Sequence, residues 1–177
     1  MSELVLAGAA CRLRPYRVSD VEALRAAADD PLVARWMNAT FPHPYTRTDA
    51  EAWVVVATTA APKRHFAIEV DGAFAGGIGF QPLGGEHRGV AQFGYWVAQR
   101  LWGRGIGTEA ARLLADHALR EAGMRRLEAM VFAPNAASAR VLEKAGFHLE
   151  ARQRERCVAR DGTICDALLY VRLAGDR

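Results

Sequence analysis

Apolar and polar positions along the chain alternate between the short period of strands and the longer period of helices. Apolar side chains recur every three to four residues after position 20, after position 50 and after position 107, which predicts three amphipathic helices. A hydroxyl residue followed three positions later by Glu predicts a capping box at Ser19–Glu22 and a second one at Thr48–Glu51. Short apolar runs rich in Val, Ile and Phe lie between these segments and predict strands.

The strands outnumber the helices, and turn residues separate them. The predicted strands span residues 11–17, 65–70, 74–80, 90–97, 126–132, 147–158 and 165–173. Asn135 is the predicted N-cap of a further helix, which ends at Gly146. Residues 1–10 are predicted to form an N-terminal arm or strand, because Glu3 and the short apolar run argue against a secretion signal. Without a repeat or a linker, the pattern predicts one α/β (α+β) domain over residues 1–177.

Composition narrows the class of protein. Apolar residues make up 51% of the chain and charged residues 24%, a balance typical of globular proteins. The net charge of +3 is too small to predict a nucleic-acid partner, and the absence of an apolar run near ~18 residues predicts no membrane span. Cys11, Cys157 and Cys165 lie too far apart for a zinc pair or a redox Cys-x-x-Cys, which predicts no metal and a reduced, cytoplasmic protein.

Gly103, Gly105 and Gly107 alternate just after an apolar strand and just before a helical run. Glycine allows the backbone to turn sharply, and the free N–H groups of a first helical turn attract an anion. No Lys follows the glycines as in a Walker loop, and the Gly-x-Gly-x-Gly spacing past the middle of the chain fits a dinucleotide fingerprint poorly. The stretch predicts a cradle for a phosphate-bearing cofactor, with a flexible turn that binds nothing as the alternative.

Three segments in this order carry a family resemblance. Tyr95–Val97 runs into Trp102–Ala110, Asn135 opens a segment that ends in Gly-Phe at position 147, and Arg12–Asp20 stands near the start. Together they resemble the GNAT acyltransferase family over about residues 11–173. The Tyr-Trp pair before the loop and the Asp-Gly…Asp ending at positions 161–166 are similar to the branch of ribosomal-protein N-terminal (Rim-type) acetyltransferases.

The resemblance implies a central mixed, mostly antiparallel sheet with a V-shaped split, helices on both faces, and acetyl-CoA as the cofactor. The implied cofactor contacts are Val97, Trp102, Gly103, Arg104, Gly105, Ile106, Gly107, Thr108, Asn135 and Arg140. Asn135 is either a helix cap alone or also a contact of the cofactor arm. Arg140 or Lys144, rather than both, is expected to meet the adenosine 3′-phosphate.

Acetyl transfer from a thioester to an amine needs a proton donor for the leaving thiolate and a proton acceptor for the amine. Many family members carry a Tyr where this chain has Leu142, so Ser138 is predicted to face the cofactor sulfur, directly or through a water. Ser138, Asn135 and Cys157 form the predicted catalytic set. Gln92 stands where relatives carry an acid, which leaves the base open among Glu86, His87, His43 and His65, or to a water chain. Glu155 or Cys157, which share one face of a late strand, is expected to line the amine pocket.

The predicted acceptor pocket is largely aromatic and consists of Trp36, Phe41, Tyr45, Gln92 and Tyr95. The predicted function is N-acetyl transfer from acetyl-CoA to a primary amine by direct attack in a ternary complex. The acceptor is a peptide N-terminus or a small molecule such as an amino acid, a polyamine or an antibiotic. A non-catalytic acyl-CoA-binding module and a nucleotide-binding protein are the alternatives, and the implied fold is compatible with a homodimer.

Overall fold

A computed structural model describes residues 3–176, and eight strands of this part form one sheet. The strands are β1 Leu6–Ala7, β2 Arg12–Arg14, β3 His65–Val70, β4 Ala73–Pro82, β5 Val90–Val97, β6 Arg126–Phe132, β7 His148–Val158 and β8 Ile164–Leu173. Their order in the sheet is β1-β2-β3-β4-β5-β6-β8-β7, and all neighbouring strands are antiparallel except β5 and β6, which are parallel. The first two residues of the predicted N-terminal arm, and both ends of the predicted 1–177 domain, lie outside the described residues.

Within the same residues, five α-helices flank the sheet. They are α1 Val21–Ala28, α2 Pro31–Ala34, α3 Arg47–Thr59, α4 Ile106–Arg120 and α5 Ala136–Lys144. Helices α4 and α5 bury the larger core, which includes Leu114 and Phe147, against one face. Helices α1 and α3 pack over the other face, where Leu24 and Val54 are buried. The mixed, mostly antiparallel sheet with helices on both faces is confirmed.

The predicted capping box at Thr48–Glu51 is wrong by two residues. The box is formed by Thr46 and Asp49. The Thr46 hydroxyl accepts a hydrogen bond from the Asp49 N–H at 3.2 Å, and the Asp49 carboxylate accepts one from the Thr46 N–H at 2.8 Å. The shorter Asp side chain closes the box as well as Glu does, and this alternative start was overlooked.

The predicted box at Ser19–Glu22 is also wrong. Ser19 is exposed, and the Asp20 carboxylate instead accepts a hydrogen bond from the Arg17 N–H at 2.8 Å, closing a single 3-10 turn before α1. The strand predicted for residues 11–17 is shortened to β2. Pro15 follows β2 directly, and proline has no N–H to continue the ladder.

A buried ion cluster joins β2 and β3 to the turn before α1. Arg14 is 4% exposed and donates two hydrogen bonds to Asp20, at 2.7 and 2.8 Å, and one to Glu69. Arg12, at the surface, donates from Nε to the same Glu69 at 2.5 Å. Burial would raise the pKa of Glu69, but the hydrogen bonds from Arg14 and Arg12 outweigh it and hold that pKa below its ordinary value.

The N-terminal arm is attached to the first turn of α4. Strand β1 pairs with β2, and the Glu109 carboxylate accepts hydrogen bonds from the backbone N–H groups of Ala9 at 2.7 Å and Ala10 at 2.5 Å. Glu109 is only 9% exposed. The predicted arm or strand is therefore a short strand followed by two backbone hydrogen bonds to α4. The role of Glu109 as their acceptor was not predicted from the sequence.

We expect Glu109→Ala to lower the free energy of unfolding by about 1.5–3 kcal/mol, because a hydrogen bond to a charged group contributes about that much and water replaces part of it at the surface. Urea denaturation measures this loss. Glu121→Ala at the C-cap of the same helix is the matched control, since the Glu121 carboxylate is exposed and its contact is with His117 of the last turn. The expected loss of stability in this control is within about 0.5 kcal/mol. Equal losses in the two variants would contradict the role of Glu109 in attaching the N-terminal arm.

Candidate functional site

Strands β5 and β6 part in the middle of the sheet. In the described chain they pair only over residues 90–92 of β5, although β5 continues to Val97 and β6 to Phe132. Strand β4 stays paired with β5 as far as Val97, and β8 stays paired with β6 as far as Phe132. Beyond Gln92 the sheet therefore opens into two halves. This opening is the V-shaped split that the family resemblance implies.

The two faces of β5 look toward different layers of the molecule, because successive side chains of a strand point to opposite sides. Phe93, Tyr95 and Val97 pack with the core under α4 and α5. Trp96 packs with the core under α1 and α3. Gln92 shares the face of Trp96, so the two predicted pocket residues Gln92 and Tyr95 lie on opposite sides of the sheet.

The three glycines of the loop have two different roles. Gly103 and Gly105 have φ values of +74° and +76°, and a Cβ built on either would meet no described atom within 4 Å. Glycine is needed there for the left-handed backbone, since space is available. Gly107 lies inside α4, and a Cβ on it would stand 3.4 Å from Tyr95 and 3.6 Å from Val97. There a Cβ would make ordinary van der Waals contacts, so the helix packs closely on the strand at a position that does not require glycine.

The first turn of α4 is suited to an anion. Gly105 is the N-cap residue, and within residues 3–176 no side chain caps this helix start. The acidic Glu109 of the first turn is held by the N-terminal arm. The backbone N–H groups of Ile106, Gly107 and Thr108 therefore remain available to a phosphate, and the exposed Arg104 adds positive charge. The residues present fit the pyrophosphate of acetyl-CoA.

Trp102 fixes the loop to the end of β5. Its indole Nε1–H donates to the Val97 carbonyl at 2.7 Å, and the residue remains 49% exposed. The Val97 carbonyl is therefore occupied within the protein. A carbonyl oxygen has two lone pairs, so the contact of backbone groups near Val97 with the cofactor arm stays a prediction, and Trp102 contributes to the shape of the loop.

Helix α5 starts on the cofactor side of the split. The prediction of Asn135 as N-cap is confirmed, because its side-chain oxygen accepts a hydrogen bond from the Ser138 N–H at 3.3 Å. The Ser138 hydroxyl lies 3.0 Å from the hydroxyl of Tyr95. Arg140 is exposed on the same helix, as the predicted phosphate contact requires, and Leu142 is buried in the core.

The acceptor side of the split is walled by two aromatic pairs. Trp36 lies against Phe132 of β6 with ring centroids 5.8 Å apart, and Phe41 lies against Trp96 of β5, also at 5.8 Å. Tyr45 is buried and supports Phe41 at 5.1 Å. The structure thus brings the predicted Trp36, Phe41 and Tyr45 to one side. Trp96 and Phe132 were missed, although alternation along their strands could have indicated them.

The hairpin between β7 and β8 closes one end of this acceptor side. Arg160 in its turn donates to the carbonyls of Phe41 at 2.6 Å and Ala34 at 3.1 Å. A cleft of about 220 Å³ lies between Trp36, Pro134 and Asp161. This cleft continues the aromatic walls toward the start of α5, and it is large enough for a small side chain or a short peptide end.

A carboxylate that sequence reasoning missed stands where the split begins. Glu128 of β6 is the register partner of Gln92 on β5, and the two strands are parallel there. Its carboxylate accepts a hydrogen bond from Arg126 Nε at 2.6 Å, and Arg126 also binds Glu150. Gln92 itself carries no charge, and the nearest acid across the strand pair, Glu128, is already ion-paired with Arg126.

The proposed bases lie in different places. Glu86 and His87 belong to the loop before β5, at the opposite end of that strand from the glycines. His65 packs on Trp53 with ring centroids 5.0 Å apart, and burial lowers the pKa of this histidine. His43, whose Nδ1 lies 3.6 Å from Asp29, belongs to the loop between Phe41 and Tyr45 and is the histidine of this set on the acceptor side.

The structure does not bring Cys157 together with Ser138 and Asn135. Cys157 lies on β7, the outermost strand, and faces Cys165 on β8, which separates β7 from β6. One strand spacing is roughly 4.8 Å, so Cys157 is two spacings from the strand that borders the split. Burial also raises the pKa of the Cys157 thiol, which disfavours the thiolate. The catalytic role of Cys157 stays a prediction without support from this geometry.

Two further features are absent from residues 3–176. That part of the chain contains no group of three or more His, Cys, Asp or Glu side chains placed to hold a metal ion. It also contains no helix with the length and apolar character needed to cross a membrane.

Comparison with known proteins identifies a family. The family model described as the acetyltransferase (GNAT) domain matches residues 11–148. A curated relative, the probable N-acetyltransferase YjcK of Bacillus subtilis, is 47% identical over 66 residues. That alignment covers 37% of this chain, and the chain spans only 36% of the length of YjcK.

Two solved structures extend the likeness to nearly the whole chain. RimJ of Mycobacterium smegmatis, in complex with a CoA-disulfide, superposes with a TM-score of 0.82 at 30% identity and covers 96% of this chain and 84% of its own. RimL, a ribosomal L7/L12 alpha-N-protein acetyltransferase in complex with coenzyme A, gives a TM-score of 0.85 at 19% identity and covers 96% and 98%. The second likeness shows the fold alone.

Proposed function

The chain belongs to the GNAT acetyltransferase family, and from this premise we propose that it transfers the acetyl group of acetyl-CoA to the N-terminal amine of a peptide or protein. The observation that carries the proposal is the split beyond Gln92, where a face lined by α4 and α5 meets a face lined by aromatic side chains. A thioester held on the first face and an amine held on the second would meet through the opening.

The residues of the first face suit the cofactor. The N–H groups of the loop and of the first turn of α4 would bind the pyrophosphate, and the open edge of β5 beyond Gln92 would pair with the pantetheine arm. Arg140 would meet the 3′-phosphate from the exposed side of α5. Bound acetyl-CoA supplies the activated acetyl group. Positioning of two reactants in this way contributes a large part of the rate in such a reaction.

Ser138 is the proposed hydrogen-bond donor to the leaving sulfur. It lies in the first turn of α5, its N–H is held by Asn135, and its hydroxyl lies on the same side of the sheet as the glycine loop. Asn135 therefore acts by fixing the start of the helix. The acceptor amine attacks the acetyl carbon directly, in a ternary complex.

A peptide N-terminus is the favoured acceptor because the acceptor side is walled by aromatic side chains and its cleft is large enough for a chain end with a small first side chain. RimL, a ribosomal L7/L12 alpha-N-protein acetyltransferase, has the same fold, so the fold is compatible with this acceptor class. A small-molecule amine is the second candidate, favoured by the limited size of the cleft, about 220 Å³. We propose a cytoplasmic location, and a homodimer stays a prediction.

We expect release of free CoA thiol from acetyl-CoA in the presence of Ser-, Ala- or Met-started peptides. The panel also contains free amino acids, polyamines and aminoglycosides, and the control is each peptide with a blocked N-terminus. Release only with a small amine would overturn the peptide assignment. A rise in melting temperature with CoA but no release would indicate a binding module, and the absence of both effects would contradict the cofactor site.

A further inference from the structure

A hydrogen bond between two hydroxyl groups crosses from β5 to α5 above the split. The Tyr95 and Ser138 oxygens are 3.0 Å apart, although the residues lie 43 positions apart in the sequence. Tyr95 stands on the part of β5 that has left β6, and Ser138 stands in the first turn of α5. The bond therefore links β5 to α5 in the region where the backbone hydrogen bonds between β5 and β6 have ended.

The ring of Tyr95 is held in place by packing. Its Cε2 atom lies 3.4 Å from the position that a Cβ on Gly107 would take, and the Val141 side chain lies 3.7 Å from the same position. Strand β5, the first turn of α4 and helix α5 therefore all border the ring. The phenol therefore lies beside the turn that we assign to the pyrophosphate, at ordinary van der Waals distance from position 107.

Either hydroxyl can be the donor of the Tyr95–Ser138 hydrogen bond, and the direction that frees the Ser138 proton needs a protonated Tyr95. Burial raises the pKa of Tyr95 to about 12, with an opposing effect from the Ser138 hydrogen bond, so the phenol keeps its proton at neutral pH. A serine hydroxyl has one proton and two lone pairs. If Ser138 accepts from Tyr95, its own proton is free for a third atom, and such chains of hydrogen bonds strengthen one another.

We propose that Tyr95 is a positioning residue for acetyl transfer, holding the Ser138 hydroxyl so that its proton points at the sulfur of the bound thioester. The proposal rests on the proposed function. In the reaction the C–N bond forms and the C–S bond breaks, and the electron pair of that bond stays on sulfur. The hydrogen bond from Ser138 stabilises this sulfur, which gains the proton that the amine nitrogen loses. Tyr95 and Ser138 end the turnover as they began it.

The position of Leu142 explains why the phenol that binds Ser138 comes from β5 and not from α5 itself. Leu142 lies one turn beyond Ser138 on α5, is 1% exposed, and packs in the core, so this helix offers no phenol there. Tyr95 brings a phenol to Ser138 from the strand that the helix faces.

The test compares Tyr95→Phe with Tyr170→Phe. Tyr170 also ties a strand to α5, because its hydroxyl donates to Glu143 at 2.7 Å, but it does not touch Ser138. We expect Tyr95→Phe to lower kcat by about 10-fold or more, a part of the roughly 100- to 10,000-fold that a positioned proton donor contributes. The Kd of CoA should change less than about 3-fold, and Tyr170→Phe should keep kcat within about 2-fold, since the hydroxyl of the buried Tyr170 is bonded to the exposed Glu143 and not to Ser138.

A double-mutant cycle with Ser138→Ala distinguishes an effect of Tyr95 on the Ser138 hydroxyl from a general loss of packing around the Tyr95 ring. If Tyr95 acts through Ser138, Tyr95→Phe has no further effect on kcat in the Ser138→Ala background. An equal loss in both backgrounds, an equal loss in Tyr170→Phe, or a wild-type rate in Tyr95→Phe would each overturn the proposal while leaving the transferase function intact. Failure of the wild type to acetylate any amine would overturn the proposed function, and this proposal with it.

Discussion

Replacing Gly105 with valine is expected to abolish measurable binding of acetyl-CoA. Gly105 has a φ of +76° and precedes the first residue of α4, so its backbone sets the direction of the N–H groups that we assign to the pyrophosphate. A β-branched residue in this conformation costs on the order of 1–3 kcal/mol. The loop relieves this strain by leaving the left-handed region, which turns the N–H groups away from the phosphate. Isothermal titration with CoA measures the loss.

Gly123→Val is the matched control for this variant. Gly123 has a φ of +74°, and a Cβ on it would also meet no described atom within 4 Å, but it follows the opposite end of α4. We expect a similar loss of stability and unchanged affinity for CoA. If Gly105→Val binds CoA like the wild type, or if Gly123→Val loses binding to the same extent, the cofactor loop is assigned incorrectly.

Replacing Arg14 with methionine is expected to lower the free energy of unfolding by about 3–5 kcal/mol, because removal of one partner leaves buried charge without compensation. Asp20 and Glu69 are 5% and 3% exposed, and both carboxylates depend on Arg14. Arg12→Met is the control, since the Arg12 side chain is 52% exposed and binds the same Glu69. Urea denaturation should show at most about 1 kcal/mol for the control, and equal losses would contradict the buried cluster.

The same cluster predicts a pH dependence. The pKa of Glu69 in the folded protein lies below its ordinary value, because Arg14 and Arg12 outweigh the effect of burial. Its contribution to stability is therefore present above the unfolded pKa, about 4.3, and is lost as the pH falls through the folded pKa. We expect the difference in stability between the wild type and Arg14→Met to narrow below about pH 4.3. A constant difference would contradict the link between Arg14 and Glu69.

Local signals predicted the backbone conformations in the proposed cofactor half of the site. Glycines at Gly103 and Gly105 mark left-handed backbone, and Asn135 marks a helix start, and each of these is a property of a few neighbouring residues. The residues of the acceptor half were assigned less accurately. Gln92 and Tyr95 were assigned to one pocket, yet residues three apart on a strand point to opposite faces. Tyr95 belongs with Ser138 on the cofactor face.

Contacts between distant parts of the chain could not be predicted from such patterns. The Glu109 carboxylate binds Ala9 across 100 positions, and Arg14 binds Glu69 across 55. The partner in each case is selected by the topology of the sheet, which places the N-terminal arm beside α4 and β2 beside β3. A charged residue in a helical or strand pattern gives no sign of this partner, so these side chains appear solvent-exposed in the sequence alone.

Tandem mass spectrometry of one peptide tests the central claim most directly. The peptide begins with Ser and carries one internal Lys, and it is incubated with the protein and acetyl-CoA. We predict a single added acetyl group, located on the α-amine, that is absent when Gly105→Val replaces the wild type. An unmodified peptide, or an acetyl group found only on the Lys side chain, would contradict the assignment of this split as a site of N-terminal acetyl transfer.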